Sequence, residues 1–204
     1  MTRLTLLRHG DTGRRGHFDG RTDVPLSAEG LRQMERQTLG RRWPLIVTSP
    51  LQRARLPGER LAATMGARLI VDGAWAELDF GAWDGRARTD VESDAEDRER
   101  CAAFYRDPVA CQPPGGESWT MLAGRVGGAV RRILSEPDVE DVLVIAHAGS
   151  IRAALLVLLG VPPSSLWAVR IDPGARLELD AGLDGQGAPW GQLVALVQAA
   201  METD

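Results

Sequence analysis

The sequence predicts an α/β domain built on a mostly parallel sheet. Three observations carry that prediction. Strand-length runs rich in Leu, Ile and Val (residues 4–7, 45–48, 69–71 and 142–146) alternate with longer segments of helical periodicity. No repeat, low-complexity block or linker divides the 204 residues, a length that suits one domain spanning 1–204. With 44% hydrophobic residues, a chain of this size buries about 70% of its unfolded surface and needs no metal or disulfide staple.

The elements follow in order. Residues 4–7 read as a buried strand ending near Arg8, and residues 10–25, rich in Gly, Asp, Arg and Thr, as a functional loop. Ser27 offers an N-cap, and Glu29 puts negative charge in the first turn of a helix. Its apolar stripe of Leu31, Met34 and Leu39 carries that helix to about Arg42. Residues 45–48 form a second buried strand. The next helix begins around Pro50, and Pro57-Gly58 inside its pattern predicts a break or kink. A third strand covers residues 69–71, and residues 88–105 form a charged surface helix or lid. Pro113-Pro114-Gly115-Gly116 is a loop, after which Ser118 caps a helix running to Leu134. Residues 142–146 are the clearest strand, followed by His147 and a helix through Leu159. Late strands are expected at residues 167–171, 176–179 and 192–198.

Composition removes several classes of function. All 24 basic residues are arginine, which excludes a Schiff-base lysine and a P-loop lysine. The formal net charge of −4 leaves no cationic footprint for nucleic acid or an anionic membrane. The longest apolar stretch, residues 153–161, is about half of a membrane-spanning helix, and residues 1–7 are too short for a signal peptide. Cys101 and Cys111 lack zinc-site companions and read as reduced thiols. The expectation is a cytoplasmic protein with no nucleic-acid or membrane partner; the sequence leaves a homodimer open.

Two of the three histidines carry the chemistry. His9 and His147 each follow an apolar strand directly, and in open α/β sheets ligands bind beyond the carboxyl ends of the strands. Either alone is readily a strand-end histidine satisfied by backbone; the pair points to one pocket. His17 reads as a loop residue near the pocket mouth. His9 sits in Arg8-His9-Gly10-Asp11-Thr12, where an adjacent cation is an odd choice unless an anion binds. Arginine offers phosphate planar bidentate donors, each charge-assisted hydrogen bond worth about 1.5–3 kcal/mol. Neighbouring cations also favour neutral imidazole, the form that acts as a nucleophile.

These residues resemble the histidine phosphatase superfamily, whose Arg-His-Gly loop follows the first strand. Further matches lie at residues 19–27, at Ser49-Pro50-Leu51-Gln52-Arg53-Ala54, at residues 77–85 and at residues 146–152, in order from residue 4 to about 160. The resemblance implies a three-layer α/β/α, phosphoglycerate mutase-like fold and a metal-free, cofactor-free phosphomonoesterase. In that reading His9 attacks phosphorus, and Arg8, Arg53 and His147 hold the equatorial oxygens. Glu77 protonates the leaving alkoxide; residue chemistry alone does not choose between it and Asp79 or Asp84. Thr12, Arg15, Gly20, Arg21 and Ala148 are the expected substrate-binding residues, Arg15 standing where many relatives have asparagine.

Within the superfamily the resemblance is strongest to the alpha-ribazole phosphatases, carried by residues 20–26, 78–85 and 113–118. It implies a small-molecule phosphate monoester as partner, with a base stacking on Trp83, Phe104, Tyr105 or Trp119. Two alternatives stay open: a phosphoglycerate mutase-like or broad sugar-phosphate enzyme, and a phospho-ligand binding protein without turnover.

Overall fold

The structure, a computed structural model, describes residues 1–199. Strands β1 (Thr2–Arg8), β2 (Leu45–Thr48), β3 (Arg68–Val71), β4 (Asp141–Ala146), β5 (Arg176–Leu183) and β6 (Pro189–Val197) form one mixed sheet of order β3-β2-β4-β1-β5-β6. The pairs β2–β3, β2–β4 and β1–β4 are parallel, whereas β5 lies antiparallel to β1 and β6 antiparallel to β5. Parallel strands need crossovers, and α1 (Ala28–Thr38), α2 (Gln52–Met65) and α5 (Trp119–Leu134) supply them, while α6 (Ala148–Leu159) leads from β4 to the antiparallel β5. The four-residue α3 (Arg88–Val91) and the longer α4 (Ala95–Arg106) belong to the segment over the cavity.

The alternation within β4 builds three layers. Leu143 and Ile145 pack with Leu7, Ile46, Met34 and Ala54 beneath α1 and α2. Val142, Val144 and Ala146 face Val126, Val130, Ile151 and Leu155 of α5 and α6.

Four local expectations need correction. The first helix stops at Thr38, whose hydroxyl bonds the Met34 carbonyl at 2.9 Å, and the left-handed Gly40 (φ 71°) turns the chain away short of Arg42. The second starts at Gln52, its N–H held by Asp23 Oδ1 at 2.7 Å, a cap from a distant loop. Of the break or kink expected at Pro57-Gly58 there is no break: α2 runs through both residues. Both residues are buried, and a Cβ at Gly58 would stand 2.2 Å from Thr48 Cγ2, so the pair lets the helix lie close on β2. Residues 167–171 form no strand. Their carbonyls accept from side chains instead of from a ladder: Ile171 from Arg8, Val169 from Arg152 and Arg170 from Gln198.

Candidate active site

Sheet register brings the two histidines together. Arg8 pairs with Ala146 across the parallel β1–β4 ladder, so His9 and His147 leave the sheet side by side. Their ring centroids are 5.1 Å apart. His9 Nδ1 lies 2.7 Å from the Gly10 carbonyl. A carbonyl only accepts, so Nδ1 carries the proton and Nε2 keeps its lone pair. His147 has the other tautomer: Arg53 Nε donates to its Nδ1 at 3.3 Å, and its Nε2 donates to Ser49 Oγ at 2.7 Å. Ser49 is there because β2 flanks β4 on the other side and ends one residue earlier.

Burial, followed by the Arg8 and Arg53 cations, holds the His9 imidazole well below its ordinary pKa. Burial and then the Arg53 cation do the same to His147. Arg8 is itself pushed down to about 10, chiefly by burial, and its Nε is buried without a partner while Nη1 donates to the Ile171 carbonyl at 2.6 Å. Arg53 is only 1% exposed. It holds the Thr22 carbonyl at 2.8 Å and those of Asp19 and Gly20 at 2.8 and 3.0 Å. A buried cation is tolerated when hydrogen-bonded so fully, and these bonds also pin the 19–22 loop.

Arg8, His9, Arg53 and Glu77 line one cavity of about 500 Å³, a size suited to a small metabolite. Glu77 is 8% exposed, with Oε1 accepting from Leu78 N at 2.8 Å and Oε2 from Gly149 N at 3.1 Å. Geometry therefore chooses among the carboxylates. Asp84 is used up on Arg21 N, Thr22 N and the Thr22 hydroxyl, and Asp79 on Gly81 N; neither lines the cavity. Among the described residues no cluster of three His, Cys, Asp or Glu side chains is gathered as a metal ion would require. None of their helices is long and apolar enough to cross a membrane.

The remaining expected binding residues divide. Thr12, Arg15 and Ala148 line the cavity, Arg15 with a 68% exposed side chain 3.4 Å from Asp11. His17 lines it too, its backbone bridged to Ala87. Gly20 and Arg21 do not. Gly20 is buried against the Leu78 carbonyl and serves Arg53, and Arg21 points to Asp79 at 3.7 Å. His147 is fully buried behind His9 rather than on the cavity wall, so it meets the site through Arg53 and the His9 ring. Of the aromatic residues, Phe104, Tyr105 and Trp119 line the cavity, whereas Trp83 is in the core with its indole N–H on Asp97.

Several site residues escaped the sequence reading. Gly149 matters because a Cβ there would stand 2.2 Å from Glu77 Oε1. Arg152 lines the cavity one helical turn after Ala148, a spacing that could have revealed it, and lies over the Trp167 ring at 5.2 Å. Trp167 completes the aromatic wall with Trp119 and Tyr105, at centroid distances of 5.6 and 5.2 Å. Nothing local in sequence marks it.

Two neutral buried imidazoles have a measurable consequence. Unfolded histidine titrates near about 6.5, so just below that pH the unfolded chain binds protons that the native state refuses. The contribution is whole above pH ~6.5 and is lost as pH falls toward the native values, at about 1.4 kcal/mol per pH unit for each ring. Urea midpoints should therefore drop between pH 7 and 5, and His9→Ala should remove one ring's share of that slope. An unaltered slope in the variant would contradict a neutral His9.

This arrangement, a lone-pair imidazole between buried arginines with a carboxylate on the same cavity, belongs to a phosphoryl-transfer enzyme class. The chain is a member of the histidine phosphatase superfamily (branch 1), whose family model matches residues 4–188, and is a phosphatase of that superfamily. The adenosylcobalamin/alpha-ribazole phosphatase of Salmonella typhimurium is 30% identical over 192 residues, spanning 87% of this chain and 90% of that protein. The solved structure of a mycobacterial glucosyl-3-phosphoglycerate phosphatase superposes with a TM-score of 0.83 at 29% identity, over 98% of this chain and 99% of that one. The alpha-ribazole phosphatase from Shigella flexneri superposes with a TM-score of 0.82 at 25% identity, each chain covered completely.

Proposed function

We propose that the chain hydrolyses phosphomonoesters through a phosphohistidine at His9. The observation that carries this reading is the His9 tautomer: Nδ1–H is anchored on Gly10, which leaves Nε2 unprotonated in the Arg8–Arg53 cavity. Nε2 forms the bond to phosphorus as the ester P–O bond breaks, and protonated Glu77 gives its proton to the departing alkoxide. Water then attacks the phosphohistidine while the Glu77 carboxylate takes its proton. The P–N bond breaks, inorganic phosphate leaves, and His9 and protonated Glu77 are restored. Arg8 faces the negative charge of the transferring group with an otherwise unpartnered Nε, and the Arg53 charge lies beside it. His147 acts one layer back, fixing Arg53.

For the substrate we propose alpha-ribazole 5'-phosphate, a ribose phosphate carrying a flat apolar base. Tyr105 and the partly exposed Trp167, backed by the buried Phe104 and Trp119, offer such a base an aromatic surface, and the alpha-ribazole phosphatases resembled above support it. The second reading is a sugar phosphate bearing another anionic group. Arg152 and Arg170 on the cavity favour it, as does the similarity to a glucosyl-3-phosphoglycerate phosphatase.

A kcat/KM panel of alpha-ribazole phosphate, phosphoglycerates, sugar phosphates and nucleotides, run with chelator, tests the assignment. Alpha-ribazole phosphate should exceed the others by at least about tenfold; a phosphoglycerate or sugar phosphate in first place replaces it. Rapid-quench labelling with a radioactive ester should give an acid-labile adduct followed by free phosphate. Transfer of label to an acceptor alcohol would mean a mutase, and neither product would mean a binding protein.

A further inference from the structure

The segment that presents Glu77 runs between two 3-10 turns, Gly73–Trp75 and Gly81–Trp83, and belongs to no helix or strand. Trp75, Ala76 and Leu78 are nevertheless buried, so its backbone carbonyls need partners that no ladder provides. One guanidinium supplies them. Arg125 of α5 donates from Nη1 to the Ala74 and Ala76 carbonyls at 2.7 and 2.9 Å, and from Nη2 to the Glu77 carbonyl at 2.9 Å. Its Nε and Nη2 also grip Glu117 Oε1 and Oε2 at 2.6 and 2.7 Å. Glu117 closes the other side: its N–H donates to the Asp79 carbonyl at 2.9 Å, and Oε2 accepts from Asp79 N at 3.4 Å. Backbone on both sides of Glu77 thus hangs from α5 through a single ion pair.

Neither Arg125 nor Glu117 lines the cavity. We propose that Arg125 and Glu117 are positioning residues that set the Glu77 carboxylate for proton transfer to the leaving group. The inference rests on the proton-donor reading of Glu77. The planar fork is needed because three carbonyls and a bidentate carboxylate draw on donors that a lysine ammonium cannot spread so widely. A misplacement of about 1 Å is worth roughly a hundredfold in rate.

The test compares kcat/KM, which reports the phosphorylation half-reaction, for p-nitrophenyl phosphate and ribose 5-phosphate. Nitrophenolate departs without a proton, whereas the sugar alkoxide needs one. Arg125→Lys and Glu117→Gln should lower kcat/KM for ribose 5-phosphate by about 30- to 100-fold and for the nitrophenyl ester by less than about threefold. Should Arg125→Lys fail to fold, Glu117→Gln decides on the same criterion. Equal losses on both esters, or no loss, overturn the inference. Glu77→Gln run alongside separates the two readings. If it discriminates between the esters while the clamp variants do not, only the clamp falls. If it does not discriminate, the proton-donor reading falls and takes the clamp with it.

Discussion

His9→Ala is expected to lower kcat/KM for any phosphomonoester by about 10⁴-fold or more, leaving a folded protein. On the proposed mechanism this change removes the nucleophile and with it the covalent route, leaving the arginines and carboxylate only ground-state binding and residual electrostatic help. The fold should survive because the His9 side chain makes one hydrogen bond, to the adjacent Gly10 carbonyl, and stands past the end of β1 rather than in its ladder. A loss of about 1–2 kcal/mol is the ordinary range for such a change. Circular dichroism and urea unfolding establish the folded state, and inorganic phosphate should still bind with a Kd within about tenfold of wild type. Activity near wild type in a folded His9→Ala protein would end the covalent mechanism.

The second large effect belongs to Glu77. Glu77→Gln keeps shape and volume but cannot deliver or accept the proton, so kcat/KM on ribose 5-phosphate should fall about 10²- to 10³-fold. On p-nitrophenyl phosphate the fall should stay under about tenfold, since that leaving group departs as a stable anion. The amide also meets two N–H donors, of Leu78 and Gly149, where the carboxylate had two acceptors. One donor is left facing an NH₂ group, at a stability cost of about 1–3 kcal/mol. Parallel slowing of both esters would move the acid role elsewhere.

Much of this site could be read from the chain because strand ends are local events. β1 and β4 announce themselves by continuous apolar runs, and a histidine directly after such a strand must emerge at the sheet's carboxyl edge. The caps of α1 and α5 were equally legible, since Ser27 and Ser118 bond N–H groups three residues onward. What is set from afar was not: Asp23 starts α2, and the carbonyls of Val169, Arg170 and Ile171 are taken by the side chains of Arg152, Gln198 and Arg8, where the chain alone suggested a strand.

By itself, then, the sequence determined the class of fold, the strand-end histidines, the arginine beside His9 and the block that contains Glu77. Only tertiary structure decided which of Glu77, Asp79 and Asp84 faces the cavity, that His147 stands behind His9, that Gly20 and Arg21 lie off the cavity wall, and that Arg152 and Trp167 join it. Those choices turn on which neighbours occupy the far side of each side chain. Periodicity and capping are written within a few residues of one another, whereas a hydrogen-bond partner such as Gly149 for Glu77 is fixed only when separate elements pack.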